Sequence, residues 1–190
     1  MCLSTDPKKE RRLTNTGQPH ARTLIAGFGN IFRRDDGVAW YVINALRTRW
    51  QQPPLAQLDD GFNELGRPVD TVLLHQLVPE LAEDLKDYAR VIFVDAHVGE
   101  TIPEPIHVEP LAVRHRTPFV YHQTHPSTVL ALARRLHGHA PQAWLVSVLG
   151  HDFDFGDTLS EATARLVEPA AERILALRAV PLETKGQPHA

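Results

Sequence analysis

Thr23-Leu-Ile-Ala-Gly-Phe-Gly-Asn-Ile-Phe-Arg-Arg-Asp-Asp-Gly-Val-Ala-Trp40 is the stretch that decides how this chain folds. A run of apolar residues leads into a glycine turn, an acidic pair and then apolar positions at helical spacing. That order is strand, turn, helix, the opening unit of an α/β protein. Ligands of such proteins bind in the crevice outside the carboxyl ends of the strands, so Asp35 and Asp36 stand where a site is expected. The stretch is not a dinucleotide fingerprint. Gly27 and Gly29 supply two glycines of G-x-G-x-x-G, but Phe32 occupies the third position, where close helix–strand packing asks for glycine. The two carboxylates would also repel a pyrophosphate.

Outward from this unit, the helix is expected from Gly37 to about Trp50, with Val38, Val42, Ala45 and Leu46 inward and Gln51-Gln-Pro-Pro54 ending it. Asp59 and Asp60 fall in a turn-rich stretch and read as a solvated loop. Val69 to Leu74 reads as a strand and Pro79 to Lys86 as a helix with proline at its first position. Val91-Ile-Phe-Val94 has the continuous apolar character of a strand covered on both faces, and it ends at a carboxylate, Asp95. Ile106 to Leu111, flanked by prolines, reads as an edge strand. His122 and His125 precede a helix over Ser127 to Leu136, with Val129, Leu130, Leu132, Ala133 and Leu136 inward. Ala143 to Val148 is the next buried strand. A long helix from Ser160 to about Leu177 closes the chain, capped by Ser160 and kinked or divided by Pro169.

Alternating strands and helices define an α/β fold: a three-layer α/β/α sandwich around an open, mostly parallel sheet. Residues 1–21 are expected to be a disordered leader, 22–180 a single α/β domain and 181–190 a flexible tail. The chain has 190 residues and a net charge of −3, with no basic block, so neither nucleic acid nor an anionic membrane is an expected partner. No apolar run is long enough to span a bilayer, and the N-terminus lacks a signal-peptide core. The single cysteine, Cys2, excludes an internal disulfide and a cysteine-based zinc site. A reducing, cytoplasmic setting fits this usage. His107, His115, His137, His139 and His189 lie among polar or turn residues and are expected at the solvated surface.

Asp36 (beside Asp35), Asp95 and the His122/His125 pair each follow a strand, and in a parallel sheet those loops open on one edge. Two carboxylates and an imidazole form a partial shell for a first-row divalent ion, with positions left for water or substrate. Each residue also has a simpler reading: Asp36 as a helix cap, Asp95 as a turn cap, either histidine bonded to backbone. Other templates are missing. There is no G-x-S-x-G elbow, Ser147 lies within a strand, and H-E-x-x-H does not occur. His151-Asp-Phe-Asp-Phe-Gly-Asp157 is acidic but lacks EF-hand spacing, and it reads as a loop near the site.

Gly27-Phe-Gly-Asn30 followed by Arg34-Asp35-Asp36-Gly37, Phe93-Val-Asp-Ala96, and His122-Gln123 ahead of an apolar helix together resemble the maturation endopeptidases of [NiFe]-hydrogenases. Phe153-Asp-Phe-Gly156 and Leu159-Ser160 resemble segments of one branch of that family. The resemblance runs from Thr23 to about Arg178. It implies an endopeptidase that removes a C-terminal extension from the hydrogenase large-subunit precursor once nickel is inserted. It implies Asp36, Asp95 and His122 as metal ligands and catalytic residues, with the nickel supplied by the substrate and other divalent ions able to substitute. The expected partner is that precursor, with the protein acting as a monomer. Leu73-Leu-His-Gln-Leu77 departs from the acidic, glycine-rich segment of many relatives, so that segment's acidic role is not carried over and His75 is left as a strand-end histidine. Asp35 matches an acidic position of undefined duty. His125 competes with His122, and family register favours His122. The alternative function is a non-catalytic chaperone that grips an immature metalloprotein.

Overall fold

Two apolar clusters lie on opposite faces of one five-stranded sheet, because every covered strand is apolar on both sides. The computed structural model describes residues 22–57, 61–113 and 124–182. In chain order the elements are β1 (Thr23–Phe28), a 3-10 turn (Arg34–Gly37), α1 (Val38–Arg49), β2 (Val69–Leu74), α2 (Leu81–Asp84), β3 (Arg90–Val98), β4 (Ile106–Leu111), α3 (Pro126–His137), β5 (Gln142–Gly150), α4 (Glu161–Ala164) and α5 (Val167–Ala179). The sheet order is β2-β1-β3-β5-β4, with only β4 antiparallel. Helices α1 and α5 cover one face, packing Val38, Val42, Leu46, Ala170 and Ile174 against Ile25, Ile92, Val94 and Val146. Helices α2 and α3 cover the other, with Leu81, Val129, Leu130 and Ala133 against Leu24, Val91 and Phe93. The α/β sandwich and the mostly parallel sheet are as the sequence implies.

Three details differ from the sequence expectation, while the division of the closing helix agrees with it. The helix expected over Pro79–Lys86 shrinks to one α-turn, flanked by i→i+3 bonds such as Ala82 N to Pro79 O and a following 3-10 turn, Leu85–Asp87. The closing helix is divided at Arg165–Leu166, which places Pro169 in the first turn of α5, where its missing N–H has no helical partner to lose. Leu136 of α3 is exposed, because the inward row of Val129, Leu130 and Ala133 continues at His137. The histidines expected at the surface include His107, His137 and His139, which are half-buried; His137 lies 3.2 Å from the Glu83 carboxylate.

Strand β3 does not stop at Asp95. It runs on to Val98 because β5 is equally long and pairs with it through Val98↔Gly150. Its ladder with β1, however, ends at Gly27↔Val94. Asp95 is therefore the first β3 residue beyond its ladder with β1. After β1 the chain crosses to the α1 face, whereas after β3 it leads by way of β4 to the α3 face. The gap between β1 and β3 is thus a topological switch point, the crevice this class of sheet uses for ligands.

Candidate active site

Asp36 and Asp95 flank that crevice. The Asp36 carboxylate accepts from the Asn30 amide at 2.9 Å, folding the turn after β1 back on itself. Gly29 makes the turn possible: its φ is +140°, and a Cβ there would lie 2.0 Å from the Asp36 carbonyl oxygen. Gly27 serves packing, since a Cβ on it would stand 2.7 Å from Ile43 of α1. Both glycines of the opening motif are thus used by the protein's own backbone and helix.

Asp35 is not a ligand in waiting. It is fully buried, and its two oxygens accept from the amides of His151, Asp152 and Ser160 and from the hydroxyls of Ser160 and Thr163, at 2.7–2.9 Å. Burial pushes this carboxyl up, but the donors from His151, Ser160 and Thr163 more than offset it, and the group stays below the usual carboxylate range. The loop after β5 is thereby clamped to the turn after β1. The clamp continues in the Arg33↔Gly156 bridge, with Gly156 N donating to Phe32 O and Arg34 N to Gly156 O, both at 3.0 Å. Arg34 holds a left-handed φ of +43° within it, its guanidinium 3.0 Å from Asp152. On this braced pair of loops Phe32 and Phe155 are 61% and 89% exposed.

Asp95 has a different environment. One oxygen, Oδ1, accepts from the Ala96 amide at 2.8 Å, and no other described residue donates to it. Burial pushes the carboxyl up to about 8; the Ala96 amide opposes the shift, and the negative charge of Asp36 adds to it. The turn that carries Asp36 packs against β3, which puts its charge near Asp95. Nearby polar atoms lack partners too: among the described residues Ser147 Oγ and His97 Nδ1 are buried with no hydrogen bond. Both lie on the α3 side of the sheet, Ser147 beside Asp95 in the β3–β5 ladder.

His125 reaches this edge by a route the sequence does not suggest. Because β4 is antiparallel, it ends at Leu111 beside Ala143, at the opposite edge of the sheet. It is the direction of α3 that matters. The end of α3 lies near Lys86, whose carbonyl is 3.1 Å from His139 Nε2, so its start points to the crevice edge. His125 occupies the N-cap, its Nδ1 accepting from Ser127 N at 3.1 Å, as the backbone-bonded alternative anticipates. His122 lies outside the described residues, as do Asp59 and Asp60. His75 is exposed just past β2. Among the described residues no group of three His, Cys, Asp or Glu side chains is assembled that could hold a metal ion. The structure thus brings together Asp36 and Asp95 from the predicted set. Sequence reasoning missed the hub role of Asp35, because its partners lie 116–128 residues away and nothing near it in sequence signals them.

The fold is that of an open, mostly parallel α/β sheet, and several solved structures share it. No family model matches the chain, and no curated protein matches it. A hydrogenase 2 maturation peptidase from a Thaumarchaeota archaeon is 21% identical, with 84% of this chain and 99% of that one covered and a TM-score of 0.55. The hydrogenase maturating endopeptidase HybD from E. coli is 22% identical, covering 82% of this chain and 91% of that one, with a TM-score of 0.55. The [NiFe] hydrogenase maturation protease HycI from Thermococcus kodakarensis KOD1 is 19% identical over 83% of this chain and 92% of that one, with a TM-score of 0.58. The fold of this chain is the fold of the hydrogenase maturation proteases.

Proposed function

We propose that this protein is an endopeptidase that removes the C-terminal extension of a [NiFe]-hydrogenase large-subunit precursor after nickel insertion. The observation that carries the reading is the meeting of Asp36 and Asp95 at the β1–β3 crevice, in a fold shared with solved maturation proteases. The donor set fits a divalent cation. Asp95 resists charging beside Asp36, and a cation between the two would favour the charged form of both. Asp36 and Asp95 would hold it from the two sides of the crevice, with His122 as the third ligand from the segment ahead of α3. Such an ion supplies Lewis-acid polarisation of a carbonyl or activation of water. Nickel arrives with the precursor, as substrate, and other divalent ions can take its place on the same oxygen and nitrogen donors.

Asp35 has a supporting part: it freezes the turn on which Asp36 sits, so the carboxylate meets the substrate without first being ordered. The protein acts in the cytoplasm as a monomer on this reading, and no described helix is long and apolar enough to cross a membrane. Intact-mass spectrometry of the large-subunit precursor, nickel-loaded and nickel-free, tests the proposal. Loss of one C-terminal peptide from the loaded form alone is the expected result. Stable binding with no change of mass in either form would replace the protease with the chaperone.

A further inference from the structure

Ser147 has no part in the reading above, yet its placement is hard to explain by packing. It stands beside Asp95 in the parallel β3–β5 ladder, and His107 of β4 stands on its other side. In-register residues face the same side of a sheet, and neighbouring strands are about 4.8 Å apart, so a hydroxyl turning about χ1 can reach a carboxylate next door. Ser147 is only 3% exposed, and its Oγ has no hydrogen-bond partner among the described residues. The inward positions before it on the same face of β5 are Ala143 and Leu145, residues that cost nothing to bury. An unpaired buried hydroxyl is a liability there unless another state of the protein uses it.

A nucleophile is not that use. Asp95 and His107 lie on opposite sides of Ser147, so Asp95 cannot orient the imidazole as a Ser-His-Asp arrangement requires. The neighbour that can use a donor is Asp95, whose only described partner is the Ala96 amide on Oδ1. We propose that Ser147 is a positioning residue for Asp95: its Oγ–H donates to the Asp95 carboxylate when that carboxylate holds a divalent cation, fixing which oxygen faces the ion. The inference rests on the reading of Asp95 as a ligand. Ligating carboxylates are commonly oriented by such a second hydrogen bond, and losing it typically weakens metal binding about 10–100-fold.

The test is calorimetric titration of Ni²⁺ alone, to millimolar concentration, into the full chain and its Ser147→Ala, Ser147→Thr and Asp95→Ala variants, with the metal-free melting temperature of each. Ser147→Ala should weaken nickel binding about 10–100-fold while its metal-free melting temperature stays level or rises. Ser147→Thr, which keeps the hydroxyl, should stay within a few-fold of wild type. Wild-type affinity in Ser147→Ala, with binding lost in Asp95→Ala, overturns this proposal and leaves the ligand reading intact. Equal losses in Ser147→Ala and Ser147→Thr also overturn it, since the hydroxyl would then be irrelevant. A wild-type protein that binds no nickel, or binding that survives Asp95→Ala, overturns both.

Discussion

Asp70 and Asp95 sit at opposite edges of the same sheet, and their surroundings differ in kind. Near the amino-terminal edge, Asp70 accepts from Arg22, Tyr88 and the amides of Gly66 and Arg67. Burial, and then the bond to Asp70, holds the Tyr88 hydroxyl far above its ordinary range. Arg90, at the same edge, donates to the carbonyls of Arg178 and Val180 and lies over Trp144. At the carboxyl-terminal edge Asp95 has one described donor, and Ser147 Oγ and His97 Nδ1 have none. A saturated polar group holds a fold together, while an unsaturated one keeps bonding capacity for something else. Among the described residues Arg90 Nε and Gln142 Oε1 at the amino-terminal edge are buried without partners too, so the contrast lies in the carboxylates: Asp70 is saturated and Asp95 is not.

Breaking the candidate site should cost activity and little stability. Asp95→Ala and His122→Ala should each lower precursor cleavage about a thousandfold or more, the loss of several kcal/mol of electrostatic stabilisation. The Asp95→Ala melting temperature should hold or rise, since a carboxyl that resists its charge is gone. Near-normal cleavage by Asp95→Ala would remove it from the site.

Asp35 sharpens the contrast, because it is a saturated group at the functional edge. Asp35→Ala strands donors from His151, Asp152, Ser160 and Thr163, and denaturant unfolding should show a loss of about 3–5 kcal/mol. The pH dependence has a definite sign. The folded Asp35 carboxyl lies below its unfolded value, so its contribution is complete above about pH 4 and is lost as pH falls through the folded value. The stability gap between wild type and Asp35→Asn should therefore close with acidification; a gap that widened would contradict the clamp.

Asp70→Asn should cost less, about 1–3 kcal/mol, with cleavage per folded molecule unchanged. His125→Ala should be milder still, about 1 kcal/mol for a lost cap, again with cleavage retained. If His125→Ala instead abolished cleavage with the fold intact, His125 and not His122 would be the imidazole of the site.

Local periodicity made the sheet readable. The runs at Thr23–Phe28, Val69–Leu74 and Val91–Val94 read as strands, and the carboxylates that follow the first and last of them mark the crevice. What escaped was set by distance along the chain. The direction of β4 depends on pairing with β5, 32–42 residues later by register, and nothing in Ile106–Leu111 encodes it. The extension of β3 past Asp95 likewise comes from its partner. Asp35 and Asp36 are identical neighbours in sequence, and only the loop after β5 makes one a hub and the other a candidate ligand.

That clamp also has a history in time. The partners of Asp35 follow it by 116–128 residues. At typical synthesis rates of about 5–20 residues per second, the turn carrying Asp36 emerges roughly 6–25 s before the segment that secures it. Contacts so distant in sequence also close late in folding, because the intervening loop entropy must first be overcome. A site built this way stays loose while the chain is young and sharpens only when its last third has folded.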